Sequence, residues 1–317
     1  MTKIIKIVQP DDAPLHLTWV INNICTNSCS YCPSILHSGK NHHYDWKNAK
    51  RFFELLFEKY PRIHCSVAGG EPSISPFLPE LAKTFFDHGH TIGLTSNAAK
   101  PVTYWKELAA HVNYICFSWH PEFPDEHFIE KVTEAGKIVP VTARVVMLSS
   151  KWQECLNMFN ILSDIPNIGT ESIRLVYYDG TDPTAQNYTE EQLEWFLTHT
   201  RNHLIKSFEH VAHVPAPKIT ADFYFDDGSV IKKGSASDLM NMGLTNFDGY
   251  TCEIGLKSLY VDFEGLIYLG NCQEGGIIGN INDPENIQWP TQPIICRRNL
   301  CHCTSDISIN KWIDPTN

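Results

Sequence analysis

The chain has 317 residues and a mass of 36.1 kDa, more than one small core requires and enough for a barrel-sized domain or a domain with an appendage. Hydrophobic residues make up 43 % and charged residues 19 %, with 18 Gly and 19 Pro, a globular composition that excludes disordered and fibrous chains. Net charge is −11 and no basic run exceeds Lys232-Lys233 or Arg297-Arg298, so bulk-charge binding to nucleic acid or an anionic membrane is disfavoured, although a local basic groove stays open.

The opening MTKIIKIVQPDDAP meets Pro10 before a signal-peptide core can form, and no apolar stretch nears the roughly 18 residues that a membrane span needs. A cytoplasmic protein is expected. In a reducing compartment eleven cysteines point to metal ligation rather than disulfides, and an odd, clustered set agrees.

From residue 15 to 180, short β-rich runs alternate with longer amphipathic stretches, the pattern of βα units and a parallel sheet. Six strands are predicted: LHLTWVINN (15–23), RIHCSVAGG (62–70), TIGLTSNA (91–98), YICFSWH (114–120), VPVTARVVML (139–148) and SIRLVYYDG (172–180). Between the first two, Trp46, Ala49, Phe52, Phe53, Leu56 and Phe57 recur at helical spacing until Pro61 stops the run. SPFLPELAKTFFDHG repeats the scheme, with Gly89 where a left-handed cap is wanted. Strand ends carry the chemistry: cysteine after the first, GGEP after the second, SN after the third, SWHP after the fourth. In parallel α/β folds the carboxyl ends of the strands form the ligand face, so these segments are expected to converge on one pocket.

Beyond residue 205 the alternation stops. ITADFYFDDGSVIKKGS predicts two strands around Asp227-Gly228, and LKSLYVDFEGLIYLGNC another pair around Glu264-Gly265. A boundary near HVPAPK (213–218) gives domains of 1–215 and 216–317, the second small, loop-rich and holding five of the eleven cysteines. So small a core is marginal alone, and a metal staple is physically reasonable.

Cys25, Cys29 and Cys32 lie within eight residues, directly after a predicted strand. Such a loop suits an iron–sulfur cube held by three thiolates with the fourth iron open, the feature that separates a reactive centre from a structural one. A zinc ribbon would want a second CxxC pair, and none is present.

CxxxCxxC with Tyr31 before its third cysteine resembles the radical S-adenosylmethionine superfamily, and Gly69-Gly70-Glu71-Pro72 resembles that family's GGEP segment. The resemblance implies a partial (β/α)6 TIM-like barrel, an α/β fold, followed by a small hairpin-containing domain. It also implies a [4Fe-4S] cluster at Cys25, Cys29 and Cys32, with S-adenosylmethionine on the open iron. Gly69, Gly70 and Glu71 would line the methionyl amino group, glycine admitting close backbone approach and the carboxylate suiting an ammonium. Asn97 and Ser118 match positions that contact ribose and carboxylate, Arg144 one that pairs with the carboxylate, and Tyr31 one whose backbone meets the adenine. Capping or packing roles remain open for these residues. An electron from the reduced cluster would cleave S-adenosylmethionine to a 5′-deoxyadenosyl radical, which takes hydrogen from substrate. An external one-electron reductant such as flavodoxin or ferredoxin is implied.

The segment GYTCEIGLKSLYVDFEGLIYLGNC and the later IIGNI resemble the SPASM module of the same superfamily and its shortened form, twitch. The resemblance implies an auxiliary [4Fe-4S] cluster drawn from Cys252, Cys272, Cys296, Cys301 and Cys303. The ending Cys-x4-Cys-x-Cys departs from the usual CxxC pairs, which favours a single cluster. A cube needs four ligands from these five thiols, and structural zinc with His302 is the alternative.

For substrate chemistry, His120 in SWHP is a candidate to move a proton or hold a hydroxyl, against a packing role. Cys116 is a candidate hydrogen-atom donor, against the inert buried thiol that Cys65 and Cys155 also suggest. His37, His42 and His43 read as loop residues at the pocket rim. The leading expectation is oxidation or rearrangement of a small polar molecule assisted by the auxiliary cluster, resembling the aminocyclitol dehydrogenases. Peptide epimerisation or crosslinking is the second reading, and modification of a nucleobase or nucleic acid, disfavoured by charge, the third. A non-catalytic two-metal scaffold would leave unexplained why GGEP, SN and SWHP all fall at strand ends.

Overall fold

The structure, a computed structural model, describes residues 2–39, 44–175, 187–199 and 219–314. It divides into two compact units, one of Met1–Val20, His42–Ser66 and Pro217–Asn317, the other of Ile21–Asn41 and Val67–Ala216.

The first unit opens with β1 (Ile4–Val8) and β2 (Leu15–Val20). Leu15, Leu17 and Trp19 bury one side of β2. Helix α1 (Trp46–Lys59) is capped by Asp45, whose carboxylate accepts the Lys47 N–H at 2.8 Å. Its buried face is the predicted one: Ala49, Phe52, Phe53 and Leu56, with the Phe53 ring 5.2 Å from that of Trp19. β3 (Ile63–Ala68) follows, its last two residues belonging to the second unit.

In the second unit each strand is followed by a helix: α2 (Leu78–Asp87), β4 (Thr91–Ser96), α3 (Val102–Ala109), β5 (Tyr114–Trp119), α4 (Phe128–Gly136), β6 (Val141–Met147), α5 (Trp152–Asp164), β7 (Ile168–Arg174) and α6 (Glu190–Thr198). β4 to β7 are parallel neighbours in that order. With β2 and β3 ahead of them in the chain, these make the six strand-then-helix units expected, an α/β partial barrel. Among the described residues no pairing closes the sheet.

Period-2 alternation assigns the faces. Phe117 of β5 packs edge-on against Trp105 of α3 at 4.8 Å and against Phe128 of α4 at 6.4 Å, so Ile115, Phe117 and Trp119 face the helices. Tyr114, Cys116 and Ser118 therefore face the other way. The register sets Cys116 beside Thr142, Ser118 beside Arg144 and Arg144 beside Glu171, which places all these polar groups on the helix-free face.

The strands end earlier than the sequence suggests, at Val20, Ala68, Ser96 and Trp119, so the residues expected at their tips lie in the loops just after them. The sixth strand begins at Ile168 rather than at residue 172. Ile168 and Thr170 are buried, and a Cβ on Gly169 would stand 2.9 Å from Thr142 Oγ1, so this glycine is where two strands approach closely rather than a turn. The expected stretch 176–180, the boundary segment 213–218, and His42 and His43 lie outside the described residues.

The rest of the first unit holds both expected hairpins. β8 (Ala221–Phe225) and β9 (Val230–Gly234) join around Asp227-Gly228; after α7 (Ala236–Asn241) and β10 (Thr251–Cys252), β11 (Ser258–Val261) and β12 (Leu266–Tyr268) join around Glu264-Gly265. β13 (Ile277–Asn280), β14 (Ile294–Ile295), α8 (Thr304–Ile307) and β15 (Lys311–Trp312) complete the chain. β11 lies parallel to β2. A six-stranded sheet has the order β14-β10-β15-β1-β8-β9; β1, which the sequence reading left without a role, buries Ile4 and Ile7 and pairs antiparallel with β8 and β15.

Candidate functional site

The loop that carries Cys25, Cys29 and Cys32 is fastened to the GGEP segment by backbone. Gly70 N–H donates to Asn22 O at 2.9 Å, Glu71 N–H to Ile24 O at 2.7 Å, and Asn22 Nδ2 to Glu71 O at 3.1 Å. A Cβ on Gly70 would meet the carbonyl oxygens of Ile24 at 2.3 Å and Leu36 at 2.4 Å. The need for glycine here is thus met by the protein's own chain: it lets two loops lie against each other.

The three thiols stand within one another's electrostatic reach. Cys29 is buried, and burial together with the charges of Cys25, Cys32 and Glu122 pushes its thiol up to about 11, the Tyr31 hydroxyl pulling the other way. Burial first, then neighbouring charge, also raises Cys25 and Cys32. Such thiols need a bound cation to ionise at neutral pH. No disulfide joins any of the chain's eleven cysteines.

A second fastening comes from the loop after β5. Glu122 accepts the Ser30 N–H at 2.7 Å and the Ser30 hydroxyl at 2.5 Å. His120 Nδ1 lies 2.8 Å from the Tyr31 hydroxyl and 3.7 Å from Cys29 Sγ, its ring stacked on that of Tyr31. Burial lowers His120 to about 4, so the imidazole is neutral at pH 7 and one ring nitrogen is an acceptor. Glu122 was not singled out in the sequence; its one signal is its place two residues beyond the histidine of SWHP.

Glu71 is wholly buried. One carboxylate oxygen accepts the Ser73 N–H at 2.8 Å and the Ser96 hydroxyl at 2.7 Å, the other the Asn97 N–H at 2.7 Å. Burial raises its pKa against these donors. It therefore ties the end of β3 to the end of β4. Asn97 Nδ2 reaches Thr26 Oγ1 at 3.1 Å and Cys25 Sγ at 3.6 Å, while its Oδ1 is buried without a hydrogen-bond partner.

Arg144 donates from Nε at 3.2 Å and Nη2 at 2.9 Å to Glu171 Oε2. Ser118, its neighbour in register, is 7 % exposed, and Cys116 is buried in the field of the guanidinium. All residues named so far belong to the second unit.

The C-terminal thiols gather in the first unit. Burial pushes Cys272 up to about 12, with Asp306, Cys252 and Cys296 adding their charge, and Cys252 likewise feels Cys296. Cys301, raised mainly by burial, feels Cys272 and Cys303. Cys303 Sγ is 3.0 Å from the Ser305 hydroxyl. Asp306 accepts the Cys272 N–H at 2.8 Å and lies 3.3 Å from the Ser258 hydroxyl. His302 is exposed.

Among the described residues no three His, Cys, Asp or Glu side chains are grouped around a point where one metal ion would sit. A cube presents its irons at separate corners and is reached by thiolates from different sides. The donor chemistry fits such a group at the N-terminal loop: three thiols in mutual electrostatic contact, beside an unpartnered buried amide oxygen.

Residues 19–148 match the family model described as the Radical SAM superfamily. No curated protein matches it by sequence. Among solved structures, native anSMEcpe with bound AdoMet and Kp18Cys peptide aligns with a TM-score of 0.50 at 15 % identity, over 85 % of this chain and 78 % of that one. Streptococcus suis SuiB aligns with a TM-score of 0.52 at 12 % identity over 88 % of this chain and 66 % of its own; SuiB bound to precursor peptide SuiA gives 0.50 at 13 % over 81 % and 59 %. At these identities the likeness is one of fold, and the chain spans under two thirds of SuiB. No helix among the described residues is long and apolar enough to cross a membrane.

Proposed function

We propose that this protein is a radical S-adenosylmethionine enzyme that oxidises or rearranges a polar substrate, with a second iron–sulfur centre in the C-terminal domain (216–317). The observation that carries the reading is the N-terminal loop, which bears Cys25, Cys29 and Cys32, is fastened to the GGEP segment by backbone, and lies against Asn97, whose Nδ2 is 3.6 Å from Cys25 Sγ and whose buried Oδ1 is unpartnered. A [4Fe-4S] cluster held there would supply the electron for reductive cleavage of bound S-adenosylmethionine and so the means to take hydrogen from substrate.

Each residue then has a stated task. Cys25, Cys29 and Cys32 hold three corners of the cluster. Asn97 offers its orphaned amide oxygen to a cofactor hydroxyl, since a buried acceptor left unpaired is costly. Tyr31 within the loop, the Gly69–Glu71 backbone against it and Ser118 beside Arg144 would contact the cofactor, and Arg144, oriented by Glu171, presents its guanidinium to a carboxylate. His120 steadies the cysteine loop through Nδ1, which lies against Tyr31 and Cys29, and its Nε2 is the nitrogen left to move a proton or hold a substrate hydroxyl. A flavodoxin- or ferredoxin-like donor supplies the electron. Cys252, Cys272, Cys296, Cys301 and Cys303 provide the thiols of the auxiliary centre, which takes up the electron that substrate oxidation releases.

The polar helix-free face, with Cys116, Thr142, Arg144 and Glu171, supports a small polar substrate. A peptide substrate is the second reading, favoured by the peptides bound to the anSMEcpe and SuiB structures; Cys116 would then be the thiol placed to return a hydrogen atom in an epimerisation. The test is anaerobic: the reconstituted, reduced protein given S-adenosylmethionine forms 5′-deoxyadenosine, and the Cys25→Ala, Cys29→Ala, Cys32→Ala triple variant does not. Deuterium carried into that product from a labelled polyol or from a labelled peptide separates the two substrate readings. Wild-type protein that is reduced, iron-loaded and silent overturns both.

A further inference from the structure

The C-terminal thiols have a cation among them that no motif announced. Lys311 is 1 % exposed. On the sheet it lies directly opposite Cys252, the two being Cα partners of the antiparallel pair β15 and β10, so their side chains leave the same face about 4.5–5.5 Å apart at Cβ. Nζ donates to the carbonyl oxygen of Asp306 and, at 3.3 Å each, to those of Ile307 and Ile309, and it stands 5.1 Å from the centre of the Phe247 ring. These acceptors at the end of a helical turn, and an aromatic face, hold an ammonium in place without neutralising it.

The carboxylate in the neighbourhood is Asp306, which accepts from the Cys272 N–H and the Ser258 hydroxyl and also lies within electrostatic reach of Lys311. The remaining groups that feel Lys311 are Cys252, Cys296 and Cys301. Taking a cation out of water is expensive unless anions come with it. Thiolates holding a metal centre here would bring negative charge beside an ammonium that is fixed directly opposite one of them.

Resting on the auxiliary-centre reading above, we infer that Lys311 is a charge-compensating residue that makes the C-terminal iron–sulfur centre an electron acceptor. Adding an electron to a thiolate-held cluster adds negative charge inside the protein. A fixed ammonium opposite Cys252 lowers the cost of that step and raises the reduction potential. It is a positioning residue for electron transfer, distant in role from the loop that binds S-adenosylmethionine.

The experiment is an EPR-monitored redox titration of the reconstituted full-length chain carrying Cys25→Ala, Cys29→Ala and Cys32→Ala, which isolates the auxiliary centre. With Lys311→Met the centre should hold its electron about tenfold less strongly, a fall of about 59 mV for a one-electron couple, while Lys311→Arg should keep the parent value. Equal potentials in all three proteins, or equal shifts in Met and Arg variants, overturn the inference. Should Lys311→Met not fold, pulsed EPR of the reduced centre in the same parent labelled with [15N]lysine decides instead: coupling to one lysine nitrogen that Lys311→Arg abolishes supports the inference, and its absence overturns it. A parent protein that takes up no iron overturns the auxiliary-centre reading itself, which separates the two failures.

Discussion

Tyr31 and His120, 89 residues apart in the chain, meet with hydroxyl and Nδ1 at 2.8 Å, and the same Nδ1 lies 3.7 Å from Cys29 Sγ. The aromatic residue of the cysteine motif is thereby held by the histidine of SWHP, and the histidine in turn borders the Cys29 thiol. His120→Phe keeps the ring volume and removes both polar contacts. We expect it to retain iron but to form 5′-deoxyadenosine at least about tenfold more slowly, in line with the loss of hydrogen bonding around a ligand. An unchanged rate in single-turnover assays would show that the contact is packing alone.

Glu122 should matter for keeping the cluster rather than for using it. Its two bonds to Ser30 are charge-assisted, a type of bond that contributes about 1.5–3 kcal/mol. Glu122→Gln retains one acceptor oxygen and loses the charge. Iron release to a chelator, followed by absorbance under anaerobic conditions, should be faster in that variant, and Ser30→Ala should fall between it and the parent.

Two glycines offer a contrast of mechanism. Gly70→Ala sets a methyl 2.3 Å from the Ile24 carbonyl oxygen, where both partners are backbone and neither can turn aside. Gly89→Ala meets nothing within 4 Å and suffers only from its φ of +72°, a penalty of roughly 1 kcal/mol. Thermal unfolding should put Gly70→Ala far below the parent, with iron uptake lost, and Gly89→Ala a few degrees below it. Similar melting points for the two would mean that the loop and the GGEP segment can part.

Acid sensitivity should come from a buried histidine pair. His16 on β2 and His64 on β3 have ring centres 5.4 Å apart; burial lowers His16 to about 4, and burial with the His16 charge lowers His64 to about 3. The unfolded chain takes up protons below about pH 6.5 that the folded chain refuses. Stability is therefore full above that value and falls steadily as pH drops toward 4. Urea midpoints measured from pH 7 to 4 should decline less steeply for His64→Phe; parallel slopes would assign the acid loss to other groups.

Much of this architecture is legible in the sequence because it is local. α1 buries the residues that its spacing selects, and Asp227-Gly228 and Glu264-Gly265 turn their hairpins where turn chemistry puts them. Strand ends are less legible: the residues after Val20, Ala68, Ser96 and Trp119 keep β-like composition although the ladder has stopped. Two contacts that no local pattern signals, Glu122 on Ser30 and Lys311 opposite Cys252, join distant segments and have no periodicity of their own. Glu71 is a related case. As a carboxylate in GGEP it reads as a ligand group, yet burial beside Ser73, Ser96 and Asn97 gives it a bracing duty that only tertiary structure reveals.

β1 lies between β15 and β8, and Gln9 just beyond it donates its N–H to Asn310 Oδ1 across 301 residues of chain. During synthesis β1 has no completed bed until β15, about three hundred residues further along, has emerged. The sheet bearing Cys252 and Lys311 is accordingly completed late, whereas the loop that carries Cys25 meets Gly70, Glu71 and Asn97 much sooner along the chain.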